Sequence, residues 1–321
     1  CQSKGGWTFM GVMRTALLAL SHSKQAQGLI VAVPLSRRAA RRFVAGETLA
    51  NAVEVIRQLN SQGITATVDY LGEYVSSEAE ARNNADEYLR LLDAIQANGL
   101  KAGVSVKLTA MGLHVGDDFC FTNVRRIVEK AEQIGSFVRV DMEDAAVTSR
   151  TLAIYRRLRD SHPCVGVVIQ AYLYRSQQDV AALIDEGVAD VRLCKGAYDE
   201  PPTVAFPTKP EVDQNMLALC RQMIDASAAH AADLHLAVAS HDDQIINYAK
   251  AYAYHHGIGR DRFEFQMLYG IRRDVQLALV KEGYKVRVYV PFGTAWYGYF
   301  MRRLAERPAN LVFFLRALVG R

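Results

Sequence analysis

"VGVVIQAYLYRSQQDVAALIDEGVADVRLCK", residues 165–195, decides the fold. It opens on an apolar run, VGVVIQAY, crosses an amphipathic stretch, SQQDVAALIDEG, and ends on a second run, ADVRLCK. Runs that are apolar nearly throughout read as strands covered on both faces, as in a parallel sheet. The middle stretch has helical spacing and stops at Gly187, a common helix terminator. The crossover is long enough to return the chain parallel to itself. The unit is therefore strand–helix–strand.

The alternation extends in both directions. Further runs are ITATVDYL (64–71), AGVSVKLT (102–109), SFVRVDM (136–142), LHLAVAS (234–240), FEFQML (263–268) and VRVYV (286–290). Helical patterns such as ADEYLRLLDAIQANG lie between them. About eight strand–helix units over roughly 250 residues match a (β/α)8 TIM barrel. A doubly wound sheet is the alternative, but no G-x-G-x-x-G follows the first run. The predicted organisation is an N-terminal helical segment, 1–60, packed on a barrel that runs from 61 to 321 and includes the final helix.

Composition narrows the function classes. The 321 residues are 50% hydrophobic and 22% charged, which describes a soluble globular chain and not a disordered one. A formal net charge of +4 is too mild to imply nucleic acid. No apolar run approaches the roughly 20 residues of a spanning helix, and nothing reads as a secretory signal. The five cysteines are scattered without a C-x-x-C pair, which points to reduced thiols in a cytosol-like compartment. The eight histidines show no H-E-x-x-H spacing, so no metal site is expected. One arginine stripe, Arg37, Arg38, Arg41 and Arg42, has helical i, i+4 spacing and reads as a solvated face or, secondarily, a lipid contact.

In such barrels the chemistry sits at the C-terminal ends of the strands. Those ends carry Asp69 with Glu73, then Lys107, Asp141 with Glu143, Gln170, Arg192 with Lys195, Ser240 with His241, Gln266, and Tyr289. Polar groups in apolar runs are costly to bury unless paired. Singly, each has a structural explanation: Lys107 or Arg192 pairing with Asp141, Gln170 bonding backbone, His241 starting a helix. As a ring at one end, they point to a shared pocket. Beyond the last strand, YFMRRLAE (299–306) places Tyr299, Arg302, Arg303 and Glu306 on one broad helical face, with Thr294 as an N-cap candidate and Pro308 as a stop. A helix entered directly from strand eight starts near the mouth, where paired guanidinium groups suit a carboxylate.

YLGE, SVKLTAMG, VRVDMED, VIQAY, VRLCKGAY, EFQMLYG and YxxRRxxE occur here in that order. Together they resemble the proline dehydrogenase family in its monofunctional bacterial form. The resemblance implies a distorted (β/α)8 barrel that binds FAD without a covalent link. It implies oxidation of L-proline to Δ1-pyrroline-5-carboxylate, electrons passed to a membrane quinone, and hand-over of product to pyrroline-5-carboxylate dehydrogenase. The implied location is cytoplasmic, with peripheral contact on the inner face of the membrane. By position, Arg302 and Arg303 match carboxylate-binding arginines, and Lys107 matches a substrate-contacting lysine. Asp141 and Arg192 match residues beside flavin and substrate. Met142, Gln170, Lys195, Gly196, Ala197, Ser240 and His241 match flavin contacts. Tyr289, with Tyr299, matches a wall against the proline ring, and Glu73 a gate partner of Arg302. Asp199 stands where some relatives carry Trp, and Ser240 where relatives often carry Thr. Two other readings compete: a Schiff-base lyase using Lys107 or Lys195, and a non-enzymatic basic lipid or nucleic-acid binder.

Overall fold

The computed structural model describes residues 39–72, 75, 77–229 and 234–306. Eight parallel strands close into a barrel in chain order: β1 (Thr65–Tyr70), β2 (Ala102–Val106), β3 (Val138–Val140), β4 (Val165–Gln170), β5 (Asp190–Cys194), β6 (His235–Ala239), β7 (Phe263–Leu268) and β8 (Lys285–Phe292). Every apolar run expected to be a strand is one. Helix α1 (Leu49–Ser61) precedes the barrel, and one helix follows each strand. These are α2 (Glu78–Ala97), α3 (Asp117–Gln133), α4 (Thr148–Arg159), α5 (Ser176–Asp185), α6 (Lys209–Ala229), α7 (Asp243–His255), α8 (Arg273–Lys281) and α9 (Trp296–Glu306).

The strands alternate more sharply than their composition suggests. The outward positions, such as Val68, Val104, Val140, Val167, Leu193, Val238, Phe265 and Val288, are buried and pack in the main core with helix residues such as Leu91, Ile127 and Ile224. Most inward positions are polar, with Val168 and Ala237 among the exceptions. Ser105 on β2 meets Arg192 on β5, and Arg139 on β3 meets Asp190 on β5. Neither pair sits on neighbouring strands, so both contacts cross the lumen. Interiors of this fold are more commonly filled by branched aliphatic side chains; here the core lies between sheet and helices, and the lumen holds two layers of ions.

The helix starts follow capping rules. Thr48 and Asn51 form a reciprocal capping box at α1, and Ser77 and Glu80 another at α2. Helix α9 begins at Trp296, so Thr294 lies two residues before it, in the turn after β8. A second apolar cluster joins α9 to the segment before α1: Phe43 and Phe300 approach to 6.2 Å between ring centroids, beside Trp296 and Leu304. Of the arginine stripe, Arg41 and Arg42 are exposed in a turn, not in a helix, because the chain there bends to give Ala45 N–H to Pro291 O at 2.9 Å. Arg37, Arg38 and Pro308 lie outside the described residues.

Candidate active site

The mouth of the lumen is a polar and ionic cluster assembled from the ends of five strands. Lys107 donates to Asp69 Oδ2 at 2.7 Å and lies 3.5 Å from Asp141 Oδ2. Its chief partner is thus Asp69, where the sequence suggested Asp141. Asp141 belongs to Arg192, whose Nη2 it binds through Oδ1, and it also accepts from Ser105 Oγ at 2.5 Å and Tyr289 Oη at 3.0 Å. Tyr289 closes the circuit by accepting from Lys107 Nζ at 3.2 Å, and its ring centroid lies 5.2 Å from the Arg192 guanidinium carbon.

The electrostatics follow from this packing. Burial alone would raise the Asp141 carboxyl, but Arg192 first and Lys107 second pull it below its ordinary value. Burial likewise works against the Lys107 ammonium, yet Asp69 and then Asp141 hold it above its usual range. Tyr289, half-buried by exposure but desolvated at its hydroxyl beside Asp141 and Asp69, is pushed well up and keeps its phenolic proton. Burial also raises Glu143, although both its oxygens accept from Thr109. A Schiff-base nucleophile needs the opposite, a lysine discharged near neutral pH. Lys107 is held charged, and Lys195 is clasped by Asp213 at 2.5 Å and Asp242 at 2.7 Å. The geometry therefore disfavours the lyase reading.

The remaining expected residues ring this cluster. Gln170 donates to Glu143 O at 2.7 Å across the β3–β4 edge, above buried Met142. Gly196 follows β5 at φ +110°, and a Cβ there would enter the Tyr172 ring, so only glycine fits this turn. Ala197 follows it, exposed. Ser240 Oγ accepts from Asp242 N–H at 3.1 Å, and Asp242 caps α7. His241 Nε2 accepts from Leu268 N–H at 3.0 Å, tying the end of β7 to the start of α7. On α9, Tyr299 and Arg303 are buried, with the Arg303 guanidinium carbon 5.1 Å from the Tyr299 ring centroid. Arg302 is half-buried. Its charge partly offsets the upward push that burial and then Glu143 give the Tyr198 phenol in the β5–α6 loop. Glu73 lies outside the described residues.

Two groups escaped the sequence reading. Asp69 stood among the strand-end residues but carried no role, although it is the main support of Lys107. Arg139, Asp190, Glu264 and Arg287 form a separate ionic layer below; the only signal was a charge inside an apolar run. A cavity of about 460 Å³ opens at that lower end, beside Lys101 and Arg287. Its arginine is already committed to Glu264. Among the described residues there is no cluster of potential metal ligands and no helix long and apolar enough to cross a membrane.

A closed (β/α)8 barrel with paired charges inside its C-terminal mouth has the architecture of a barrel enzyme. The proline dehydrogenase family profile matches residues 52–316, and the chain belongs to that family of oxidoreductases. It is 43% identical over 309 residues to proline dehydrogenase 1 of Bacillus subtilis (strain 168), covering 96% of this chain and 99% of that one. It is 44% identical over 285 residues to the proline dehydrogenase of Deinococcus radiodurans, covering 87% and 90% of the two chains. Among solved structures, the barrel resembles proline utilization A (PutA) from Bdellovibrio bacteriovorus inactivated by N-propargylglycine. The TM-score is 0.78 at 27% identity, over 84% of this chain and 32% of that longer one.

Proposed function

We propose that the chain oxidises L-proline to Δ1-pyrroline-5-carboxylate with FAD held at the barrel mouth. The observation that carries this reading is the convergence of Lys107 and Arg192 on Asp141 and Tyr289, with Tyr289 packed against the apolar cluster of the helix that carries Tyr299, Arg302 and Arg303, in a member of this family. When bound, FAD supplies the hydride acceptor. The residues present suit such a group. Arg192 Nη1 and Tyr172 Oη are buried without a hydrogen-bond partner among the described residues, so both offer a polar atom to a ligand. Gly196 provides a turn that leaves room for close approach. Met142, Gln170, Lys195, Gly196, Ala197, Ser240 and His241 would line the flavin.

The protein's part is aim and charge. Arg302 and Arg303 take the substrate carboxylate as a bidentate fork, and Lys107 adds a third cation. Tyr289 and Tyr299 would wall the ring and aim its C5 toward the hydride acceptor that FAD would supply. The cations favour the neutral amine, the form able to release hydride. Arg192 stabilises negative charge that develops on the flavin side. Electrons pass on to a quinone through peripheral membrane contact. The product goes to pyrroline-5-carboxylate dehydrogenase, a coupling consistent with the "bifunctional" PutA relatives that share 24–25% identity with this chain.

The test is the visible spectrum of the purified protein. Flavin bands that anaerobic L-proline bleaches are expected; absent bands, or bands proline leaves unchanged, overturn the reading. In Arg303→Met, KM for proline rises at least about tenfold, the value of one charge-assisted hydrogen bond, while flavin content is unchanged.

A further inference from the structure

The wall of the barrel splits next to Lys107. Residues of β1 pair with β2 only from Ala66↔Ala102 to Val68↔Val104, whereas β1 follows β8 up to Tyr70↔Phe292 and β2 follows β3 up to Val106↔Val140. Above Val68 the two strands part, leaving backbone groups on both edges of the gap. Unpaired buried backbone is costly, so something must satisfy it. Tyr88 does so from α2, outside the barrel. Its hydroxyl accepts from Tyr70 N–H at 3.2 Å, and its single proton faces Ser105 O at 2.8 Å and Asp69 Oδ1 at 3.2 Å. The other oxygen of Asp69 accepts from Lys107 Nζ at 2.7 Å. Tyr88 and Asp69 are 2% and 1% exposed, so neither connection competes with water.

We propose that Tyr88 and Asp69 are positioning residues: the phenol inserted through the β1–β2 gap orients the Asp69 carboxylate, which fixes the Lys107 ammonium at the mouth where the substrate carboxylate binds. This rests on the proline-oxidising reading above. It gives a residue on an outer helix a defined part in substrate recognition. The groups facing Lys107 are Asp69 from β1, Asp141 from β3 with Glu143 just beyond it, Tyr289 from β8, and Arg192 from β5 behind Asp141. Of these, Asp69 makes the shortest contact with the ammonium. Its charge, more than that of Asp141, offsets the burial that works against the Lys107 ammonium. Without it the lysine should titrate at lower pH than in wild type.

The sign is fixed. Lys107 acts as a cation, so its contribution is present below its pKa and lost above it. In Asp69→Asn, kcat/KM for proline should begin its alkaline decline roughly one to three pH units lower than in wild type, the span of one close opposite charge. Tyr88→Phe, which removes the hydroxyl that faces Asp69 and Ser105 O and also its acceptor for Tyr70 N–H, should lower kcat/KM about three- to tenfold, mostly through KM. A second readout does not depend on turnover: acylation of Lys107 by an amine-directed reagent, followed across pH by peptide mass spectrometry, should shift to lower pH by the same interval in Asp69→Asn. Adding Lys107→Arg to Asp69→Asn should abolish the new alkaline limb, because guanidinium does not titrate there. If Asp69→Asn loses thermal stability while both the alkaline limb and the acylation profile stay where they are in wild type, Asp69 is structural and the proposal is overturned. A wild-type protein that proline fails to bleach overturns the functional reading instead, and the acylation result still decides whether Asp69 governs Lys107.

Discussion

The two ends of the barrel interior are built from the same kinds of side chain and do different things. At the floor, Arg139 binds Asp190 Oδ1 at 2.8 Å and the carbonyls of Val167 and Asp190, while Arg287 grips Glu264 through Nε at 2.8 Å and Nη2 at 3.2 Å. Gln266 adds a 2.5 Å bond to Glu264. Each cation has its own carboxylate, and the Arg139 guanidinium lies over the Phe137 ring at 4.7 Å. At the mouth, Lys107 and Arg192 share Asp69 and Asp141, Arg192 Nη1 has no partner among the described residues, and Arg302 and Arg303 add further positive charge above. At the floor each cation is matched to its own carboxylate, and Arg139 Nε alone lacks a partner among the described residues; at the mouth two cations share two carboxylates and Arg192 Nη1 has no partner among the described residues. Charge inside a barrel therefore does not identify a site; shared charge at the C-terminal mouth does.

Mutating matched arginines tests that contrast most severely. Arg139→Met leaves Asp190 buried with only His235 beside it and should cost about 3–5 kcal/mol of stability. KM for proline in the folded fraction should not change. Arg192→Met should instead lower kcat about 10²- to 10³-fold, the scale of losing one aimed donor, with a smaller change in unfolding midpoint. Urea unfolding read beside steady-state kinetics separates the two, and equal effects from both variants would erase the distinction.

A smaller effect is expected at Gly166 on β4. A Cβ there would strike the Arg139 guanidinium, and Asp190 Oδ1 lies 2.7 Å from the same point. Gly166→Ala should destabilise by about 1–3 kcal/mol through overpacking, again without altering KM. Smallest at neutral pH, but diagnostic, is the acid response of Glu264. Burial raises its carboxyl, yet Arg287 dominates and holds it at about 2. A depressed carboxyl contributes stability that is present above its ordinary value of 4.5 and lost as pH falls toward 2. Glu264→Gln should therefore be less stable than wild type at pH 7 and decline less steeply between pH 4.5 and 2, as read by thermal melts across that range. Parallel declines would place the acid sensitivity elsewhere, at the mouth for instance.

The strand–helix rhythm, the barrel and the family were legible in the chain, because hydrophobic periodicity and motif order are local properties. All eight runs became strands within three residues at each end, with β3 the shortest at Val138–Val140. The polar strand ends were legible as a ring for the same reason. Partner choice was not. Lys107 is 34 residues from Asp141 and 38 from Asp69, and nothing in their spacing tells which carboxylate the ammonium meets; the stagger of β1 against β8 and the gap beside β2 decide it. Tyr88 reads as one more apolar position of an amphipathic helix, and only the parting of two strands gives its hydroxyl something to do. Sequence determines which faces are buried, because that follows from the period of the side chains. Tertiary structure alone decides which buried charges cancel and which stay available, because Coulombic pairing depends on distances across the lumen that no stretch of chain contains.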